Sequence, residues 1–151
     1  GSRVDADGQV RDWWSTADRN AWTGLGDRVA AQYASHEFPG LKGKRVDGAL
    51  VRNVGLADQA GLEMAVDAYA KADPQANQAA RQAFFEAWSR LWAQHVSENT
   101  ASERLKTDIH APGPLRSNVP LGNLPAFGAA FACKAGQPMQ RAEADQVLIW
   151  R

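Results

Sequence analysis

Three side chains that could do chemistry together lie in residues 107–118, TDIHAPGPLRSN. Asp108 stands two residues before His110, so its carboxylate can fold back on the imidazole and fix which ring nitrogen carries the proton. A ring held in this way can give a hydrogen bond to an oxyanion or a proton to a leaving group. Arg116, beyond two prolines, offers several donors for a carbonyl or carboxylate. From spacing alone, we favour the plainer interpretation that the three residues satisfy one another in a buried loop.

The other two histidines give weaker signals. His36 and Glu37 begin like the H-E-x-x-H motif of a zinc-binding helix. Pro39 would break that helix, however, and Gly40 stands where the second histidine should be. His95 lies near the end of a predicted helix, where a histidine that caps the backbone is ordinary. We therefore interpret His36 and His95 as surface or capping residues.

Composition excludes several classes of function. The 151 residues carry 17 Lys and Arg against 17 Asp and Glu, so a net charge of zero gives no field that would attract nucleic acid or an anionic membrane. No apolar run approaches the ~20 residues of a membrane span. Cys133 is the single cysteine, which excludes an internal disulfide and predicts a small buried apolar residue. With 44% hydrophobic residues, we expect one globular domain over residues 1–151.

Periodicity and capping patterns predict a mainly helical fold that must position these residues. We predict helices over about 16–35, 57–72 and 75–96, a short helix with Thr100 and Glu103 as its capping box, and another short helix at NLPAFGAAFAC. Residues 41–51 hold two glycines and no helical period, so we predict a loop there, with a short hairpin. The final VLIW predicts a strand-like segment docked on the core.

The third predicted helix carries the strongest apolar stripe, which predicts that its inner face buries a great deal. The stripe consists of Phe84, Phe85, Trp88, Leu91 and Trp92.

Five stretches of the chain resemble, in order, the motifs of one known family. They are GSRVDADGQVRDWWSTADRNAW at 1–22, ADQAGLEMAVDAYAK at 57–71, FFEAWSRLWA at 84–93, the D-x-H-x-P-x-x-x-R-x-N pattern within 107–118, and NLPAFGAAFACKAGQPM at 123–139. Together they resemble the C-terminal part of the catalytic domain of the neprilysin family of zinc metallopeptidases, which includes endothelin-converting enzyme.

The resemblance implies a fold and a role for each candidate residue. The fold would be the mainly α C-terminal helical subdomain of a thermolysin-like catalytic domain, with a long Pro/Gly loop and short β segments. His110 would stabilise the oxyanion of the tetrahedral intermediate, oriented by Asp108, and Arg116 would bind a substrate carbonyl after the scissile bond. Asp58 would match the acid that orients a zinc-ligating histidine. The family also suggests a location outside the cytoplasm, although this chain shows no targeting signal.

Zinc is the cofactor that the resemblance implies, yet this chain does not supply its ligands. The family holds zinc with the two histidines of H-E-x-x-H, which is absent here, and with a later Glu. Counting back from Asp58 without gaps, that Glu falls on Val54, whereas matching RNVG to the family's E-N-V-G places it on Arg52. Valine has no donor atom and arginine is a permanent cation, so neither binds zinc. The nearby acids Glu37 and Glu63 match no ligand position.

Three functions therefore stay open. The chain could be one portion of an active peptidase whose zinc helix lies on another chain or segment. It could be a pseudopeptidase that lost the metal and binds peptides or proteins. It could also use the peptidase scaffold for metal-free acid and base chemistry through His110 and Asp108.

The apolar stripe of the third helix also bears on partners. In the family, the corresponding helices pack against the zinc helix and a preceding sheet, so this chain alone should expose an apolar face. We therefore expect a tight partner, which is either a second chain carrying the N-terminal half or another copy of this chain.

Overall fold

The computed structural model describes residues 3–134 and 136–150. Six α-helices follow one another: α1 (Thr16–Ala34), α2 (Gly48–Ala72), α3 (Gln78–Leu91), α4 (Glu98–Thr107), α5 (Gly113–Leu121) and α6 (Pro125–Ala130), and a 3₁₀ turn lies at Glu143–Asp145. Within the described ranges, β structure is limited to two isolated antiparallel bridges, Val4 with Val10 and Glu37 with Arg45. The mainly helical fold is confirmed, and no described helix is long and apolar enough to cross a membrane.

Helix α1 confirms the first predicted helix. Ser15 caps it by accepting a hydrogen bond from the backbone N–H of Asp18, as the sequence indicates. Its inner face buries Val29 and Tyr33 against α2.

Helix α2 begins nine residues earlier than predicted, because Asp47 caps it through the N–H of Leu50. The prediction of a loop over residues 41–51 is therefore wrong in its second half. We took Gly48 for a helix breaker, but it lets α2 lie against α1, since a Cβ at this position would collide with the carbonyl of Ala30. Gly55 serves the same packing against Tyr33. The hairpin expected before α2 is reduced to the single bridge at Glu37 and Arg45.

Helix α3 is shorter than the predicted 75–96 at both ends, since Asn77 caps it and it ends at Leu91. Phe85 is buried at its centre, and Phe84 and Trp88 pack at the edge of the same cluster. Leu91, at the C-terminal end of the stripe, is 73% exposed, so this chain alone does not cover the whole stripe.

The segment from α4 to α5 departs furthest from the sequence prediction. Ser97, and not Thr100, caps α4, because its side chain accepts from the N–H of Thr100. The loop that we predicted over 107–118 contracts to residues 108–112. Pro112 and Pro114 stand at the start of α5, where a missing N–H costs nothing, so Arg116 lies on a helix and not in a loop.

The C-terminal segment docks on the core, as predicted, but does not form a strand. Val147 is fully buried, and the backbone N–H groups of Ile149 and Trp150 donate to the buried carboxylate of Glu63 on α2. Cys133 is half-buried beside the cluster around Phe85 and Phe127.

Candidate functional site

His110 and Arg116 line one hollow of about 210 Å³ at the surface where α3, α4 and α5 meet. We call it the Trp92 hollow, and its other walls include Leu91, Trp92, Gln94 and Arg104. Residues 108–112, which join α4 to α5, carry His110 to the hollow, and the first turns of α5 carry Arg116. The fold thus brings together the two residues that the sequence singled out as donors.

The imidazole of His110 is held by the carboxylate of Asp108. Oδ1 of Asp108 accepts from both the backbone N–H and Nδ1 of His110, each at 2.9 Å. Burial alone would raise the pKa of Asp108, but the two hydrogen bonds from His110 and the positive charge of Arg104 outweigh it and lower that pKa. The ring itself is 52% exposed, and its Nε2 bonds to no other residue that the structure describes. Nε2 is therefore free to meet a ligand.

Arg116, in contrast, is held from two sides. Its Nε and Nη2 donate to the two carboxylate oxygens of Asp58 at 2.7 Å each, in the bidentate geometry that suits a guanidinium. The hydrogen bond to Asp58 raises the pKa of Arg116. Its guanidinium also stacks on Trp92, 3.8 Å from the ring centroid. Arg116 is thus a fixed cation whose Nη1 donates to no other residue among those described.

This pairing gives Asp58 a partner that we did not foresee. From the resemblance we expected its carboxylate to face a zinc-ligating histidine. In this chain both of its oxygens are occupied by Arg116. Each oxygen keeps a second lone pair that could still accept a bond from elsewhere.

A second hollow of about 200 Å³ also borders His110. We call it the Phe38 hollow, and its walls include Phe38, Pro39, His95, Val96 and Ala101. Five residues line both hollows: Gln94, Arg104, Asp108, His110 and Ala111. His95 is exposed at the rim of the Phe38 hollow and lies beyond the end of α3, not on that helix as predicted.

Arg104 and Gln94 were not predicted from the sequence. Arg104 lies on α4, four residues before Asp108, and its Nε is 3.9 Å from Oδ2 of Asp108. Its Nη1 donates to Oε1 of Gln94 at 3.0 Å. The helical spacing of Arg104 and Asp108 was a usable signal. The contact with Gln94 crosses between segments, and no local pattern announces it.

The two positions that could match the family's zinc-binding Glu, Val54 and Arg52, lie on different faces of α2. The helix is continuous from Gly48 to Ala72, so Val54, four residues before Asp58, lies on the same face. Arg52 is six residues before Asp58 and points about 120° away around the axis. Its side chain lies against Gly26 and pairs with Asp27 of α1.

No cluster of metal-ligating side chains lies among the residues that the structure describes. Over residues 3–134 and 136–150, no three His, Cys, Asp or Glu side chains cluster closely enough to hold a metal ion. His36 lines neither hollow, and burial together with the nearby charges of Arg141 and Arg45 lowers its pKa.

Solved structures of metallopeptidases share this fold. PepO from Lactobacillus rhamnosis superposes with a TM-score of 0.86 and 33% sequence identity over 99% of this chain. The zinc metalloprotease Zmp1 from Mycobacterium tuberculosis, solved with an inhibitor, gives a TM-score of 0.88 and 26% identity over 100% of this chain. The class of protein is therefore a helical portion of a metallopeptidase.

The chain belongs to peptidase family M13, whose family model matches residues 1–147. Among curated relatives, the neutral endopeptidase of Lactococcus lactis subsp. lactis is 29% identical over 99% of the chain. Neprilysin-1 of Caenorhabditis elegans is also 29% identical over 99% of the chain. The chain spans only 23% and 21% of the lengths of these two relatives, so it corresponds to less than a quarter of either.

Proposed function

We propose that this chain is the C-terminal portion of a neprilysin-like metalloendopeptidase and supplies its transition-state histidine and a substrate-binding arginine. The observation that carries the proposal is that the Trp92 hollow is lined both by His110, whose ring Asp108 orients, and by Arg116, whose guanidinium is fixed. Membership of peptidase family M13 supplies the reaction, which is hydrolysis of a peptide bond.

His110 acts on the charge that develops during hydrolysis. Because Nδ1 of the ring is bonded to Asp108, a protonated ring presents an N–H at Nε2 to the oxyanion of the tetrahedral intermediate. The carboxylate of Asp108 balances the positive charge of that ring and prevents its rotation. We place no further proton transfer on this pair.

Arg116 acts on the bound substrate. Its Nη1 donates to a backbone carbonyl after the scissile bond, while Asp58 and Trp92 prevent the guanidinium from moving. A fixed donor loses little freedom when substrate binds, so its hydrogen bond contributes more to affinity than that of a mobile surface arginine.

The catalytic metal requires a partner segment. Zinc is expected of the family, and the residues described here do not hold it, so the metal and the water that it activates would come with a zinc helix on another segment or chain. This need, and not any contact in the structure, is why we expect a tight partner carrying the N-terminal half.

The proposal is tested on the protein at its full natural length. We expect stoichiometric zinc by mass spectrometry and cleavage of an unstructured peptide at internal bonds, with both lost on chelation. A protein that carries zinc but cleaves no peptide would contradict the proposal.

A second function is favoured by Val54, which lies where the gap-free comparison places the family's zinc-binding Glu. We propose as the alternative a pseudopeptidase that keeps His110 and Arg116 to bind a peptide backbone. Under this alternative the natural protein carries no zinc, binds peptides without cleaving them, and acquires zinc when Val54→Glu restores a carboxylate. Arg52→Glu, which points elsewhere on α2, is the matched control and should gain nothing.

A further inference from the structure

We infer that Tyr33 is a positioning residue for Arg116: its buried hydroxyl donates, through one bound water molecule, to the carboxylate of Asp58 that fixes the guanidinium. The inference rests on the proposed function, because it is there that Arg116 acts on a substrate. It adds a residue of α1 that lines neither hollow.

The hydroxyl of Tyr33 is buried without a partner. The residue is 1% exposed, and its Oη forms no hydrogen bond with any residue that the structure describes. A buried polar group in this state costs stability unless a water molecule bonds to it. Such waters typically bond to about three polar groups at once. We therefore expect a bound water that joins this hydroxyl to another buried polar group.

The position of the ring brings the hydroxyl to the junction of α1, α2 and α5. Tyr33 lies against Gly55, one turn before Asp58 on α2, where an added Cβ would collide with the edge of the ring. Tyr33 also belongs to the same buried cluster as Leu115, the residue before Arg116 on α5. The ion pair of Asp58 and Arg116 joins α2 to α5. The phenol and the ion pair therefore occupy the same junction of helices.

The charges around the phenol indicate which group the water joins to it. Burial raises the pKa of Tyr33, and the negative charge of Asp58 raises it further, so the hydroxyl keeps its proton and is a donor. Three charged groups act on the phenol, namely Asp58, Arg116 and Arg141, and of these the carboxylate alone accepts hydrogen bonds. Each oxygen of Asp58 accepts one bond from Arg116 and keeps a lone pair. A water that accepts from Tyr33 and donates to Asp58 satisfies both groups and holds the carboxylate in place.

The first test compares Tyr33→Phe with the natural protein, each at full natural length. Phenylalanine keeps the ring against Gly55 and removes only the donor. We expect KM for an unstructured peptide to rise about three- to tenfold while kcat changes less than about twofold, because Arg116 supports binding and His110 is untouched. Tyr69→Phe, at a half-buried tyrosine that stacks on Phe84, is the matched control and should change neither value. An unchanged KM in Tyr33→Phe would overturn the inference.

A second background separates positioning from a general effect on the fold. When Arg116→Met is already present, Tyr33→Phe should raise KM no further, because the guanidinium that it positions is absent. An equal rise with and without Arg116 would show that the hydroxyl acts through the fold as a whole, and the inference would be wrong.

Two measurements keep this inference apart from the peptidase function. If the natural protein cleaves no peptide, the peptidase function fails, and calorimetric Kd values for the same peptide replace KM in both comparisons. A crystal structure of the natural protein should show an ordered water within hydrogen-bonding distance of Oη of Tyr33 and of a carboxylate oxygen of Asp58. A hydroxyl with no water beside it and no bond to Asp58 would overturn the inference, whatever the kinetics.

Discussion

Two polar clusters of this chain are built from similar residues but differ in what they leave free. The first, which we call the tail clamp, joins α1, α2, the short segment between α5 and α6 and the C-terminal segment. Its members are Gln32, Gln59, Glu63 and Asn123. The second is the site around Asp108, His110, Arg116 and Asp58.

In the tail clamp, the side chains form hydrogen bonds with one another and with nearby backbone groups. The amides of Asn123 and Gln32 pair reciprocally, and Asn123 also donates to Gln59 and accepts from the N–H of Val147. Glu63 accepts from Gln59 and from two backbone N–H groups of the C-terminal segment. Three of its four members are shielded from solvent, since Gln59 and Asn123 are each 1% exposed and Glu63 is 9% exposed, while Gln32 is half-buried.

The site is built differently, because each of its two donor side chains is fixed through some of its nitrogens and keeps another nitrogen without a partner among the described residues. His110 is fixed through Nδ1 and keeps Nε2, while Arg116 is fixed through Nε and Nη2 and keeps Nη1. Both residues line the Trp92 hollow. Unused hydrogen-bonding capacity next to a cavity, and not the number of polar residues, is what we expect of a functional cluster.

The largest expected effect on stability lies in the tail clamp. Glu63→Gln should cost about 3 kcal/mol of unfolding free energy, because an amide N–H₂ would face backbone N–H donors in a buried position. Asp67→Asn, exposed one turn further along α2, is the matched control and should change stability by less than about 0.5 kcal/mol. Chemical denaturation measures both, and equal effects of the two variants would refute the clamp.

The pair of Arg116 and Asp58 should show a strong but smaller coupling. A double-mutant cycle with Arg116→Met and Asp58→Asn should give a coupling free energy of about 2 kcal/mol, because the pair is mostly buried and bidentate. The more exposed pair of Arg52 on α2 and Asp27 on α1 serves as the control, and its cycle should give less than about 0.5 kcal/mol. A weak coupling at Arg116 would mean that its guanidinium is not fixed.

The smallest effect should come from the pH dependence of Asp108. Its pKa is lowered in the folded protein, so its carboxylate contributes stability that is fully present above the unfolded pKa of about 4. That contribution disappears as pH falls through the lowered folded pKa. Asp108→Asn should therefore be less stable than the natural protein by about 1 kcal/mol or less at pH 7, with the difference disappearing as pH falls through the lowered folded pKa of Asp108. A difference that does not depend on pH would show that the carboxylate charge is not responsible.

The sequence predicted the contact between Asp108 and His110 but not the local structure around it. The two residues are two positions apart, so their contact is a local property that spacing reveals. Arg116 was named from the same segment, yet its partner Asp58 is 58 residues away and only the folded chain brings them together. Gly48 was taken for part of a loop because the close approach of α1 and α2 cannot be seen in one sequence.

The prolines show the same limit. Pro112 and Pro114 suggested a stiff loop, but in the first turn of a helix proline is tolerated, and only the position of the helix start distinguishes the two cases. Arg104 was not predicted as part of the site, although its spacing to Asp108 is helical. The prediction was confined to the segment 107–118, and Arg104 lies on the helix before it.

The free Nε2 of His110 is the centre of the account, and its removal is the most direct test. In the protein at its full natural length, His110→Ala should lower kcat for peptide hydrolysis about 10²- to 10³-fold while leaving stability unchanged, because the ring is half exposed. His36→Ala, at a half-buried histidine that lines neither hollow, should leave kcat unchanged. If His110→Ala kept the full kcat, or if both variants lost it equally, the assignment of His110 to the transition state would be wrong.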